Sequence, residues 1–373
     1  MNKVFLLLIL AFISVNASFG QVFSDKVVGK KNAALADSLK VEKYPYSLPI
    51  WGAKVTAKGY DLPYSAGVGV NYFQQESALL ISNLYVGFNG SPMVNLDEIV
   101  RFNDAKSTAG ALTIRPDIWL FPFLNVYGIL GKAKTSTEIN AGVFLPDSAN
   151  IWSEVTSFTT IANFDATSFG LGLTPTIGIA GGWLALDMNC VWTDISALDK
   201  PVFTFVFDPR AGKTFRFKKP ERNINVWVGA MRVQFSSGTS GSLSLSEIMP
   251  TDSLQLKVNT GLDNVSEKSA QVESWWGGLT PVEQKNPVNI AKHETANRAL
   301  TTASEVLTSI DGALNDGQTA TVQYSLEKTL KDKWNFLIGS QFQFNKHLMI
   351  RAEVGFLGSR TQVMGGIQYR FGL

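Results

Sequence analysis

The sequence predicts an all-β protein, an antiparallel transmembrane β-barrel of about twelve strands with a helix-containing extracellular insertion. Three observations predict it. Apolar and polar residues alternate with period two through most of the chain beyond residue 65, the pattern of half-buried strands. The polar faces of these segments carry Gly, Ser, Thr, Asn and Gln rather than the Lys and Glu of a solvent-facing sheet. Connections are short at one set of positions and long at the other, as on the two sides of a membrane barrel. A soluble β-sandwich gives the same alternation, but its outer face would be richer in charge.

Composition supports the same class. Charged residues are 17% of the chain, below the roughly 25% of soluble domains. The formal charge of +2 gives no electrostatic footprint for nucleic acid. The single cysteine, Cys190, excludes an intramolecular disulfide and falls on an apolar face.

Residues 1–20 read as a signal peptide: Lys3, the apolar run Val4–Val15, then Ser18-Phe19-Gly20 before a cut at Gln21. The apolar run is shorter than the roughly 20 residues that span a bilayer. Residues 21–64 mix charge with Pro45, Pro49 and Gly52 and read as an N-terminal periplasmic segment. The barrel is assigned to 65–373. Its strands are expected near 65–73, 79–88, 97–104, 109–120, 123–133, 165–178, 183–193, 202–217, 222–236, 333–344, 347–357 and 361–372. An even count puts both barrel ends on one side, with turns at 121–122, 179–182, 218–221 and 345–346 in the periplasm and the long segments 134–164 and 237–332 outside. Pro116, Pro175 and Pro209 fall within strands, where bulges or shorter strands are expected.

The ending GGIQYRFGL resembles the terminal β-strand signal of Gram-negative outer-membrane β-barrels. Gly366, Tyr369 and Phe371 fit it, and Leu373 stands where those proteins usually end in an aromatic. The resemblance implies localisation in the bacterial outer membrane, delivery to the outer-membrane assembly machinery through the last strand, and contact with membrane lipid, with lipopolysaccharide a further candidate. It names no substrate, and the chain matches no functionally defined porin-like subfamily.

In the 237–332 insertion, SSGTSGSLSLS reads as a flexible polar stretch. Thr280-Pro281-Val282-Glu283 is a capping box with proline at the first helical position. Pro287 kinks or restarts the helix. Ala296, Leu300, Ala303, Leu307 and Ile310 then predict a helix over 288–311, ending at Gly312. Residues 319–328 read as a strand extension above the membrane. Packing on the rim, plugging the lumen and binding a partner all stay open for this insertion.

The polar phase of the strands makes Arg115, Asp117, Asp187, Asn189, Arg232, Gln341, Arg351, Glu353, Gln368 and Arg370 candidate lumen-lining residues. Trp183, Trp192, Trp227, Trp334, Tyr369 and Phe371 are candidate membrane-interface aromatics. No catalytic set, metal site or cofactor is expected: His293-Glu294 lacks the second histidine of a zincin motif, and His347 sits at a short turn. The basic run Lys213, Arg216, Lys218, Lys219 and Arg222 reads as a solvated turn. Two functions compete, a passive channel or transporter for small solutes and a non-conducting structural or surface-interaction barrel presenting the insertion. An outer-membrane hydrolase ranks below both.

Overall fold

The computed structural model of the chain describes residues 30–196, 198–219, 221–235, 238–244, 251–315 and 321–373, so the signal peptide assignment lies outside the described residues. Ten strands close into an antiparallel ring: β1 (Ala66–Phe88), β3 (Val100–Phe121), β4 (Leu124–Pro146), β5 (Trp152–Ile179), β6 (Gly182–Ile195), β7 (Val202–Arg216), β8 (Asn223–Phe235), β11 (Trp334–Gln343), β12 (Leu348–Phe356) and β13 (Arg360–Phe371). The ring closes where β13 pairs with β1, from Ala66 opposite Phe371 to Ser77 opposite Arg360. The chain thus forms a barrel with extra strands and helices beyond one end. The expected strand number exceeds the ring by two because 65–73 and 79–88 are one strand, as are 97–104 and 109–120. The expected 134–164 loop is instead the far half of the β4–β5 hairpin, which turns only at 147–151.

Side chains on the ring split by parity. Outward residues in the near half of the barrel are apolar and exposed: Val68, Val70, Leu112, Ile114, Leu171, Leu173, Val226, Val228, Ile350 and Ile367 among them. The three prolines stay in continuous strands without bulges. Beside each, one ladder skips a step and resumes on the same register, as Ile114–Leu130 is followed by Asp117–Tyr127. The same happens at Leu173–Met188 then Thr176–Ala185, and at Phe207–Arg232 then Arg210–Gly229. The missing N–H costs a ladder bond and leaves the pleat intact.

One barrel end has four short turns and the C-terminus. Residues 30–65 form α1 (Lys30–Val41), α2 (Gly52–Thr56) and a strap across this mouth. Ser47 N–H and Leu48 N–H donate to the Leu373 carbonyl, Ile50 N–H donates to Leu120, and Asp61 pairs with Arg216 at 2.9 Å. Tyr46 lies so close that a Cβ at Gly372 would sit 2.0 Å from its ring, so the strap needs glycine there.

At the other end β1 continues beyond the ring and pairs with β10 (Thr321–Leu330), which pairs with β9 (Gly238–Ser244); β2 (Val94–Asn95) adds a short edge. The polar stretch expected to be flexible is therefore in part a strand. The insertion carries α3 (Thr251–Gly278), α4 (Pro281–Gln284) and α5 (Pro287–Asn315), so two long helices stand where one was expected. Thr280 and Glu283 form the capping box of α4, and a new helix starts at Pro287. The missed helix had a signal of its own: Leu254, Val258, Val265 and Val272 recur at spacings of four and seven. These residues and Leu300, Ala303 and Leu307 of α5 form a core with Leu96, Ile99 and Leu145, against Leu84, Phe88, Trp152 and Phe158 of the strand extensions.

Candidate functional site

The barrel interior is built from inward positions of successive strands. Asp208 and Arg210 share a face of β7, and Asp187 and Asn189 share one of β6. Across the bore, Arg115 and Asp117 point in from β3 and Arg351 and Glu353 from β12. All but Asp117 meet at mid-height. Arg210 reaches Asp187 at 2.9 Å and Glu353 at 3.1 Å and also bonds Asp208. Arg351 pairs with Glu353 at 3.1 Å, and Arg115 stands 4.0 Å from Asp187. The Trp227 indole N–H donates to Glu353 at 2.8 Å, and the Tyr127 hydroxyl donates to Asp187 while facing the Asn189 amide at 2.6 Å. The Arg115 guanidinium lies 3.5 Å from the Tyr127 ring centre.

In this layer Arg115, Arg210 and Arg351 face Asp187, Asp208 and Glu353, so its formal charge is zero. Buried charges persist only when paired and hydrogen-bonded, which this network achieves for most of its atoms. Two of its links run across the ring, from β3 to β6 and from β7 to β12, while the others join neighbouring strands or two residues of one strand.

Glycines make room for the layer's aromatic rings. A Cβ at Gly339 would lie 2.3 Å from the Trp227 ring, one at Gly212 2.3 Å from Trp183, and one at Gly172 2.3 Å from Tyr127. Each glycine is the register partner of the aromatic beside it. The rings lie flat over their neighbours instead of projecting into the bore.

Toward the strapped mouth, Asp117 collects a second group. Arg370 pairs with it at 2.9 Å, the Asn125 amide donates to it at 2.8 Å, and the Gln368 amide also donates to it. Between the two groups lies a cavity of about 600 Å³ bounded by Leu35 and Leu39 of α1, with Gln341 on its wall.

Of the candidate lumen residues, Arg115, Asp187, Asn189, Arg351 and Glu353 come together in the charged layer, Asp117, Gln368 and Arg370 come together below it, and Gln341 lines the space between. Arg232 does not join them. It is out of phase with the inward Asn223 and Trp227, and its register partners Phe207 and Trp334 are on the outward face. Trp183 and Trp227 are likewise not interface residues: both line the lumen, with ring centres 6.2 Å apart. Their parity was readable, since Trp183 is in phase with Asp187 and Trp227 with Asn225. Trp192, Trp334, Tyr369 and Phe371 lie exposed on the outer face. Sequence reasoning missed Asp208, Arg210 and Tyr127. Asp208-Pro209-Arg210 puts two opposite charges at i and i+2 of one strand, and the proline between them obscured the shared face.

No protein-family model and no curated protein matches the chain. Among solved structures, it is similar to the β domain of the Bordetella autotransporter BrkA, with a TM-score of 0.34, 8% identity, and coverage of 82% of this chain and 100% of that one. It is similar to the translocator domain of the autotransporter NalP from Neisseria meningitidis, at TM-score 0.29 and 10% identity over 92% of this chain and 94% of that one. An outer-membrane channel from Pseudomonas putida gives a TM-score of 0.26 and 10% identity over 83% of this chain and 96% of that one. These superpositions are loose, and the barrel's own construction decides the class. A ring with no free edge, an exposed apolar outer belt and a polar interior satisfies every backbone group in lipid. The chain is an outer-membrane β-barrel. Aromatics mark the two borders of its belt, with Phe169, Trp192, Phe203 and Trp334 toward the helices and Phe215, Phe344, Tyr369 and Phe371 toward the strapped mouth.

Proposed function

We propose that this outer-membrane barrel is non-conducting at rest and non-catalytic, and that it serves as a mount presenting the helical head at the cell surface. The charged layer carries this reading. Barrels of about eight strands are filled by side chains, and porins of sixteen to eighteen strands leave an aqueous channel. Ten strands leave a bore that the arginine–carboxylate bridges can cross, and they do. The same reading places the strapped mouth in the periplasm and the last strand, Arg360–Phe371, as the segment offered to the assembly machinery. The outer belt then meets lipid, and its upper border meets lipopolysaccharide.

A second reading, a gated passage for small solutes, is favoured by the cavity below the layer. Planar-bilayer recording on the purified full chain separates the two. The mount reading expects no single-channel steps from the wild type. Steps whose ion preference changes in Arg351→Ala would establish the channel instead. Hydrolysis assays on phospholipid and peptide substrates test the non-catalytic part, and turnover would overturn it.

A further inference from the structure

The cavity under the charged layer has a chemistry distinct from both the layer and the head. Its volume of about 600 Å³ lies in the range of small-molecule sites. Its cations are matched where they stand: Arg210 by Asp187, Arg370 by Asp117, and Arg216 by Asp61. Toward the strapped mouth Lys219 and Lys346 are balanced in number by Glu42 and Glu221, so the lining favours neither sign, and a charged ligand held deep among the paired arginines would find no unmatched opposite charge. Neutral amides supply much of the remaining lining, with Asn71, Asn225, Gln341 and Gln368 pointing in. A carboxamide carries acceptor and donors side by side, the complement of neighbouring hydroxyl groups. Asn225 already accepts from Thr214 and donates one N–H to Asn223, and Gln368 donates one N–H to Asp117, so these two offer their remaining lone pair and N–H. Indoles supply flat apolar area. Trp183 lies over Gly212, and Trp119 lines the cavity with an indole N–H that is buried and unpartnered among the described residues. A buried donor without a partner is rare and calls for an acceptor. One outer arginine atom, Arg370 Nη2, is in the same condition.

We infer that this cavity is a binding site for a neutral, hydroxyl-rich ligand of short oligosaccharide class, held between the amide walls and the Trp183 face beneath α1. The stacked arrangement suits a sugar ring, whose C–H face is apolar and whose rim is polar. Leu35 and Leu39 of α1 form the floor, so the ligand enters when α1 lifts from the mouth while the strap at residues 47–50 stays bonded to the barrel end. The site does not depend on whether the barrel conducts, because it lies on one side of the charged layer.

Isothermal titration calorimetry on the full chain in nanodiscs tests the inference, free of maltoside detergents whose headgroups would compete. The probes are maltotriose and tri-N-acetylchitotriose as neutral trimers and trigalacturonate as the anionic one. Saturable binding of at least one neutral trimer is expected, with trigalacturonate weaker. Gln341→Ala and Asn225→Ala each weaken it by about tenfold, the effect of leaving hydroxyls unpaired. Trp183→Phe, which keeps a ring, weakens it less than Trp183→Ala. Heat-modifiable migration on gels establishes that each variant is folded before it is titrated. Absence of binding by both neutral trimers, tighter binding of trigalacturonate, or wild-type affinity in folded Gln341→Ala and Asn225→Ala would each overturn the inference.

Discussion

In the near half of β4, Leu124, Val126 and Leu130 face outward, and Asn125 and Tyr127 face in. In the far half, Lys132, Lys134 and Glu138 face outward, and Val143 and Leu145 are buried inside. One continuous strand thus reverses its apolar side. The near half has lipid outside and a polar bore within. The far half has water outside and the α3–α5 hairpin within. β1 and β3 reach the same end by another route. Their ladders slip between Ser82 and Tyr85 and between Phe102 and Asp104, so the bulge moves Leu84, Val86 and Val100 onto the head side. The protein therefore has two apolar assemblies of opposite sense on the same strands, one completed by the bilayer and one by its own helices.

If the head is completed by its own packing, a core truncation there should leave the barrel untouched. Leu300 is 2% exposed, and Leu300→Ala is expected to cost about 2–5 kcal/mol of head stability. Hydrogen exchange of residues 251–315 should accelerate while β12 and β13 keep their protection. Loss of protection in β13 would show that the two assemblies are one.

The complementary break falls on the outer face of β5. Leu171 is 54% exposed in the apolar belt, whereas Asn163 lies on the same face past its border. Leu171→Arg is expected to destabilise the bilayer-embedded chain by about 2–4 kcal/mol. Asn163→Arg should stay within about 0.5 kcal/mol, as surface changes do. Urea titrations in phospholipid vesicles, followed by tryptophan fluorescence, measure both. Equal costs would erase the border drawn between the halves.

A smaller effect is expected in the bore, where room rather than solvent decides. Gly339→Ala places a methyl 2.3 Å from the Trp227 ring, which must leave its bond to Glu353 or push β11 outward. About 1–3 kcal/mol is the usual cost of such overpacking. The near-ultraviolet circular dichroism of the tryptophans should change with it. An unchanged spectrum and stability would mean that the ring has space the structure does not show.

The near half was legible because lipid imposes one rule on every strand: even β5 with its proline keeps Phe169, Leu171 and Leu173 in phase. The far half was not, because the phase inverts within β4 and slips within β1 and β3. A reader following one alternation loses the strand where the solvent changes, and 134–164 then looks like a loop. The charged layer was half legible. Parity put Asp187, Arg351 and Glu353 inside, but only the closure of the ring brings β7 opposite β12 and makes Arg210 their partner. Aromatic type misled where parity would not have: Trp183 and Trp227 were placed by their chemistry, and their phase put them in the lumen. In the insertion, α5 announced itself through its capping box and dense apolar stripe, while α3 spaces its core residues among Lys257, Asp263 and Lys268.

The mildest test concerns how the head is fastened. Arg298 of α5 holds Glu98 through two hydrogen bonds, of 2.9 and 2.8 Å, in the loop before β3. The bond from Arg298 holds the Glu98 carboxyl below its usual value of 4.5, partly opposed by burial. A carboxyl lowered in the folded state binds its proton less readily there than in the unfolded chain. Its contribution is therefore complete above about 4.5 and disappears as the pH falls through the lower folded value. Both side chains meet solvent, so the effect is small and weakens in 1 M salt, where screening acts over about 3 Å. Pepsin cleavage of the head, run at a series of acidic pH values, reads it directly. Wild type should become more susceptible on descending through that window, and Glu98→Gln should be equally susceptible on both sides of it. A wild type whose susceptibility relative to Glu98→Gln does not change with pH would show that the helices are held to the strands by their apolar core alone.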